Sequence, residues 1–172
     1  YGATSFLFIG RLIPQKNVDV LIRAFKNVHN AVLYIVGQGY LETSLKNLVQ
    51  ELGLSDRIFF LGVRDDIPAV MQSCDCFVFP SSYEGFSLVL LEAMSAGMPI
   101  IITDFSAGKE IIIHEKNGII VEQSEEGITG GCQRMATDVN LRKTIGNQAQ
   151  ETVKDFSVQR HIDRLMELIG SV

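Results

Sequence analysis

Residues 76–102 read Cys76-Phe77-Val78-Phe79-Pro80-Ser81-Ser82-Tyr83-Glu84-Gly85-Phe86-Ser87-Leu88-Val89-Leu90-Leu91-Glu92-Ala93-Met94-Ser95-Ala96-Gly97-Met98-Pro99-Ile100-Ile101-Ile102. Cys76–Phe79 is a short apolar run stopped by a proline, as expected of a strand buried on both faces. From Phe86 to Ala96 the apolar residues fall nearly all round a helix, which predicts a buried helix closed by Gly97. Pro99–Ile102 is another buried strand. A strand, a helix and a strand joined by short links form a parallel pair with a crossover.

The same unit recurs outward in both directions. Ser5–Ile9, Ala31–Val36 and Arg57–Leu61 read as strands closed by Gly10, Gly37 and Gly62. Gly118–Val121 reads as a sixth. Helices are expected over residues 17–29 with Asn17 as cap, 41–52, 65–73 with Pro68 in the first turn, and 107–113. Three more follow at 126–137, 140–155 and 158–169. There is no internal repeat and no Pro/Ser-rich linker. The expected fold is α/β: a Rossmann-like, doubly wound, parallel six-stranded sheet with a helical C-terminal tail.

The 172 residues are 47% hydrophobic and 20% charged, with mean hydropathy +0.20, so a packed core is affordable and disorder is excluded. Net charge is −5, and neither half is basic: residues 1–86 hold 7 Lys+Arg against 8 Asp+Glu, residues 87–172 hold 8 against 12. Nucleic-acid binding is therefore not expected. Cys74, Cys76 and Cys132 make no CxxC, and His29, His114 and His161 stand alone, so no metal site is expected. An odd number of cysteines and no apolar span of membrane length fit a reduced, cytoplasmic setting. The start at Tyr1, almost directly into a strand, reads as one lobe of a longer protein.

In a doubly wound sheet, ligands bind beyond the carboxyl ends of the strands. The loop Gly10–Asn17 carries Arg11 and Lys16 there, a planar fork and a mobile point charge suited to a diphosphate, or else a solvated pair of surface cations. Gly37-Gln38-Gly39 offers only a partial dinucleotide fingerprint, since Glu42 holds the third glycine's place. Glu84 and the open backbone of Gly85 stand before a helix N-terminus whose free amides suit a phosphate. Glu92, inside an apolar helix, needs donors: vicinal ribose hydroxyls, a backbone amide or Arg11. It lies roughly 7–8 Å along the helix axis from Ser87, about the span from a diphosphate to a ribose.

Glu84 and Glu92 form an E-x7-E pair, and with it the chain resembles the retaining group 1 glycosyltransferases. Six further stretches match in order: Phe8-Ile9-Gly10-Arg11-Leu12 with Lys16-Asn17, Val36-Gly37-Gln38-Gly39 with Leu41, Asp56-Arg57-Ile58 to Gly62, Phe79-Pro80-Ser81, Gly97-Met98-Pro99-Ile100-Ile101, and Asn117-Gly118-Ile119-Ile120-Val121. The resemblance implies a GT-B enzyme of two Rossmann-like lobes. Residues 1–172 would be the C-terminal, nucleotide-sugar-binding lobe, without the N-terminal acceptor lobe. It implies Arg11 and Lys16 on the diphosphate, Glu84 on the transferred sugar, and the amides of Phe86, Ser87 and Leu88 on the distal phosphate. Glu92 would take the ribose and Val63-Arg64 the base, with Gly10, Gly37 and Gly85 completing the donor site. Arg11, Lys16 and Glu84 would be the catalytic residues.

A departure stands at Ser87, where the family usually has glycine. The implied donor is a nucleotide sugar, with UDP preferred because Tyr83–Glu92 resembles capsule- and lipopolysaccharide-type members. The implied acceptor is a saccharide or a lipid-linked sugar, and the implied setting of the whole protein is the cytoplasm, or the inner face of the membrane where the acceptor is lipid-linked. No D-x-D motif is present, so no metal cofactor is expected. Two rivals remain on the same residues: a nucleotide-sugar epimerase and a non-catalytic nucleotide-sugar-binding module. In the tail, Ser157 is a candidate cap for a helix striped by Val158, Ile162, Leu165, Met166 and Ile169; the resemblance implies that it crosses towards the other lobe, and its single-sided pattern equally fits packing wholly on its own lobe.

Overall fold

The computed structural model describes residues 2–156. Six strands form one sheet: β1 (Thr4–Ile9), β2 (Ala31–Val36), β3 (Ile58–Gly62), β4 (Cys76–Phe79), β5 (Ile100–Thr103) and β6 (Ile119–Val121). Their order is β3-β2-β1-β4-β5-β6, with every pair parallel. This is the doubly wound topology expected from the sequence, and it reverses direction between β1 and β4. β1 pairs with β2 over all six residues, from Thr4↔Ala31 to Ile9↔Val36. With β4 it pairs only at Phe6↔Cys76 and Leu7↔Phe77, so that ladder stops short of the strands' carboxyl ends.

The helices are α1 (Val18–Phe25), α2 (Glu42–Glu51), α3 (Ile67–Gln72), α4 (Leu88–Ser95), α5 (Ser106–Ile111), α6 (Glu125–Thr137) and α7 (Val139–Thr152). Side chains alternate across each strand, and this splits the core in two. Phe6, Phe8, Cys76 and Val78 pack with Leu21 and Phe25 of α1, Leu45 of α2 and Cys132 of α6. Leu7, Phe77 and Phe79 pack on the other face with Met71 of α3, Leu90 and Met94 of α4 and Ile111 of α5. α7 serves both cores, through Ile145 and Ala149. Ser124 and Asp138 cap α6 and α7, accepting from Gly127 N at 3.0 Å and Leu141 N at 2.9 Å.

Three expectations need correction. Asn17 precedes α1, but its backbone is left-handed (φ 47°) and its side chain makes no capping bond. It donates instead to Pro80 O at 3.2 Å. α1 stops at Phe25, where the Arg57 guanidinium donates to Phe25 O and Val28 O at 3.2 and 2.7 Å and so satisfies carbonyls at the helix end. α4 is not buried all round: Leu90, Ala93 and Met94 enter the core while Leu88 is 68% exposed. The tail helix and His161 lie outside the described residues. Cys76 and Cys132 are buried free thiols and Cys74 is half-buried, with desolvation pushing its thiol up to about 11. No helix among the described residues is long and apolar enough to cross a membrane.

Gly37 and Gly39 shape the first loop of the site. A Cβ on Gly37 would sit 2.0 Å from Gly10 O, and one on Gly39 would sit 2.2 Å from Leu12 O. The two backbones are also hydrogen-bonded, Gly10 N to Val36 O at 3.0 Å and Leu12 N to Gln38 O at 2.9 Å. The glycines are thus required by close approach within the chain itself. Gly39→Ala is expected to destabilise by more than about 2 kcal/mol, because backbone cannot yield as a side chain does. Gly53→Ala, at a left-handed position (φ +66°) with open space around it, should cost about 1–2 kcal/mol. Urea denaturation of both variants checks this, and a larger loss for Gly53→Ala contradicts it.

Candidate functional site

The reversal between β1 and β4 sends α1 and α4 to opposite faces of the sheet, and the switch-point crevice lies at the carboxyl end where the loops leading to them meet. The β1 loop brings Arg11 and a 3-10 turn, Pro14–Lys16. The β4 loop brings Glu84 and the start of α4. Across the crevice Lys16 Nζ donates to Glu84 Oε1 at 2.5 Å, with both side chains only 12% exposed. Lys16 Nζ also stands 4.8 Å from the centre of the Phe79 ring, a cation–π contact that adds to its hold. Arg11 is exposed and forms no ion pair among the described residues. The crevice therefore presents one partly screened cation, one open cation and one carboxylate.

The loop from Pro80 to Tyr83 has no regular secondary structure, yet each of its four carbonyls accepts a side-chain hydrogen bond. Asn17 Nδ2 donates to Pro80 O at 3.2 Å and Thr103 Oγ1 to Ser81 O at 2.6 Å. Gln123 Nε2 donates to Ser82 O at 3.0 Å and Gln15 Nε2 to Tyr83 O at 2.7 Å. Ser82 answers towards β1: its N–H and hydroxyl both donate to Gln15 O, at 2.9 and 3.1 Å. The Ser81 hydroxyl is buried without a hydrogen-bond partner among the described residues.

At the head of α4, Ser87 is the N-cap residue with extended backbone, and no side chain caps the helix. The first-turn amides are left for a ligand or solvent. Gly85 has open space around it, so nothing in the chain stops a ligand approaching its backbone. Phe86 and Leu88 are 65% and 68% exposed. Glu92 is exposed too, not enclosed in an apolar helix as the sequence pattern implied. It lines a groove of about 560 Å³ between α3 and α4, together with Leu88, Leu91, Ile67, Pro68 and Met71. The apolar residues on the outer half of α4 thus wall a groove rather than fill a core. Beyond β3, Val63 is 66% exposed, while Arg64 is tied to Asp66 by a two-pronged pair at 2.8 and 2.6 Å. The hydrogen bond from Arg64 holds the Asp66 carboxyl below its ordinary range.

Of the residues singled out from the sequence, Gly10, Arg11, Lys16, Glu84, Gly85, Phe86, Ser87 and Leu88 come together around the β1–β4 crevice. Glu92 lies a turn further along α4 in the groove, Val63 and Arg64 on the β3 loop, and Gly37 behind the β1 loop. The carbonyl donors Gln15, Asn17, Thr103 and Gln123 were not anticipated as a set. Among the described residues, no three or more His, Cys, Asp or Glu gather to hold a metal ion.

The chain resembles known proteins over nearly its whole length. Residues 2–152 match the family model described as glycosyl transferases group 1. It is 39% identical over 153 residues to an uncharacterised glycosyltransferase of Methanocaldococcus jannaschii, covering 86% of this chain and 39% of that protein. It is 32% identical over 174 residues to UDP-Gal:alpha-D-GlcNAc-diphosphoundecaprenol alpha-1,3-galactosyltransferase of Escherichia coli, covering 95% of this chain and 45% of that protein. Among solved structures, Anabaena HepE in complex with UDP superposes with a TM-score of 0.90 at 26% identity, over 99% of this chain and 50% of that one. The chain thus spans half or less of the length of each of these relatives. With its parallel sheet, its crevice and this coverage, the chain belongs to the group 1 glycosyl transferases.

Proposed function

We propose that this chain is the donor-binding lobe of a retaining glycosyltransferase that takes a UDP-sugar and passes its sugar to a saccharide or lipid-linked acceptor held by a second lobe. The observation that carries the reading is the Lys16–Glu84 pair at 2.5 Å across the β1–β4 crevice. A cation for a diphosphate and a carboxylate for sugar hydroxyls stand side by side at the topological switch point. The name of the E. coli relative, a UDP-galactose-dependent enzyme acting on a diphosphoundecaprenol-linked sugar, supports both the nucleotide and a lipid-linked acceptor.

In this reading uridine lies in the groove between α3 and α4. Leu88 and Leu91 cover its apolar faces, Glu92 accepts from the ribose hydroxyls, and the Val63–Arg64 loop flanks the base. The diphosphate lies at the crevice, where Lys16, Arg11 and the first-turn amides of α4 meet it. Bond breaking at the anomeric carbon leaves growing negative charge on the distal phosphate, so those donors stabilise the transition state more than the ground state. Glu84 positions the sugar through its hydroxyls. Retention follows from acceptor attack on the face that the phosphate leaves, with the leaving phosphate taking the acceptor's proton.

Calorimetry with UDP tests the proposal directly: the 172-residue chain should bind UDP more tightly than uridine and transfer no sugar by itself. Transfer should appear only when both lobes are present. Robust transfer by this chain alone, or no preference for UDP over uridine, overturns the reading.

Arg11→Ala and Lys16→Ala should each weaken UDP binding by about 1.5–3 kcal/mol, the worth of hydrogen bonds to charged groups, and leave uridine binding unchanged. The two differ in stability. Lys16→Ala strands the little-exposed Glu84 carboxylate and should lower the melting temperature, whereas Arg11→Ala should not.

Glu92→Gln should weaken UDP binding about tenfold while leaving a 2′,3′-dideoxy analogue unaffected. Equal losses for the two ligands would assign Glu92 no role at the ribose.

A further inference from the structure

The loop ahead of Glu84 is held by its carbonyls, and its four side-chain donors come from three different places: the β1 turn (Gln15, Asn17), the end of β5 (Thr103) and the segment after β6 (Gln123). Gln123 serves two carbonyls. Besides Ser82 O it donates to Asp104 O at 2.6 Å, so one amide group ties the outgoing ends of β4 and β5 to that of β6. Gln15 works from the opposite side. Its amide donates to Tyr83 O while its own carbonyl takes both donors of Ser82. Gln15 is also the neighbour of Lys16. The brace therefore sets the mutual placement of Lys16 and Glu84, the two charged groups that face each other across the crevice.

We propose that Gln15, Thr103 and Gln123 are positioning residues of the donor site, which hold the Lys16 turn and the Glu84 loop in the register that receives a diphosphate. The inference rests on the donor-site reading above. An irregular loop left to solvent would sample many conformations, and ordering it on ligand binding would subtract from affinity. Hydrogen bonds to four successive carbonyls remove that freedom beforehand. A first layer of binding groups is effective only when a second layer fixes it. The uridine groove is formed by α3 and α4, whose side chains are seated in the core independently of this brace. Loss of the brace is therefore felt at the phosphates and not at the nucleoside.

Two variants test this. Thr103→Val keeps the shape of a buried side chain and deletes only the hydroxyl that donates to Ser81 O. Gln123→Met keeps the length of an exposed side chain and deletes both amide donors, with little risk to folding. Each is compared with the wild-type chain for binding of UDP and of uridine by calorimetry, with thermal unfolding followed alongside. Each variant is expected to weaken UDP binding roughly three- to tenfold, the equivalent of one or two net hydrogen bonds, with uridine affinity unchanged. A Gln123→Met protein with wild-type melting that also binds UDP as tightly as wild type overturns the inference. So does equal weakening for UDP and uridine, which would mark a general structural role. If the wild-type chain itself does not prefer UDP to uridine, the donor-site reading fails, and that outcome is distinct from a failure of the brace.

Discussion

Everything at the site follows from the reversal of winding between β1 and β4. The chain runs outward from β1 to β3 and then returns to the centre to lay β4 against β1. The helices that follow β1 and β4 therefore pack on opposite faces of the sheet, while the loops leading to them stay hydrogen-bonded to each other, as from Ser82 N to Gln15 O and from Asn17 Nδ2 to Pro80 O. The β1–β4 ladder is the one that ends early, after Leu7↔Phe77. Opposite charges placed on these two loops are adjacent without being locked into a sheet, and Lys16 and Glu84 occupy that position. The low exposure of both side chains and the Phe79 ring beside the ammonium give the pair a setting less screened than bulk water.

The inner strands were legible because they are buried on both faces, whereas the edge strand β3 exposes Phe59 and Leu61. Ala31–Val36 and Cys76–Phe79 are continuous apolar runs ended by Gly37 and Pro80, and the structure bounds β2 and β4 at the same residues. The site was legible in its charged residues, since few cations stand at strand ends in an acidic chain. α4 was misread for a definite reason. Apolar composition tells that a surface avoids water in its working state, and half of this helix faces a groove rather than a core. Asn17 was misread as a cap because the sequence cannot say which acceptor an amide will choose, and Pro80 O lies 63 positions away. The same limit hid Gln123 and Gln15, whose bonds span 41 and 68 positions. No periodicity or motif marks a side chain that serves a distant carbonyl.

Glycine carries two different messages in the crevice. Gly37 and Gly39 are needed because another stretch of the same backbone lies where their side chains would be, and they set the path of the Arg11 loop. Gly85 has nothing near it. The first kind is a constraint of folding, the second open space beside the backbone, and the letters of the sequence do not distinguish them.

The bracing of the 80–83 loop decides which of its residues can vary. All four acceptors are main-chain carbonyls, which every amino acid supplies. Pro80 and Ser81 are buried and the Ser82 hydroxyl is itself bonded, so this freedom falls to Tyr83. Tyr83, 65% exposed, can be exchanged without disturbing the hydrogen bond that its carbonyl receives. The scaffold thus stays constant while the side chain shown at position 83 is free to vary, with the Lys16–Glu84 pair left where it was.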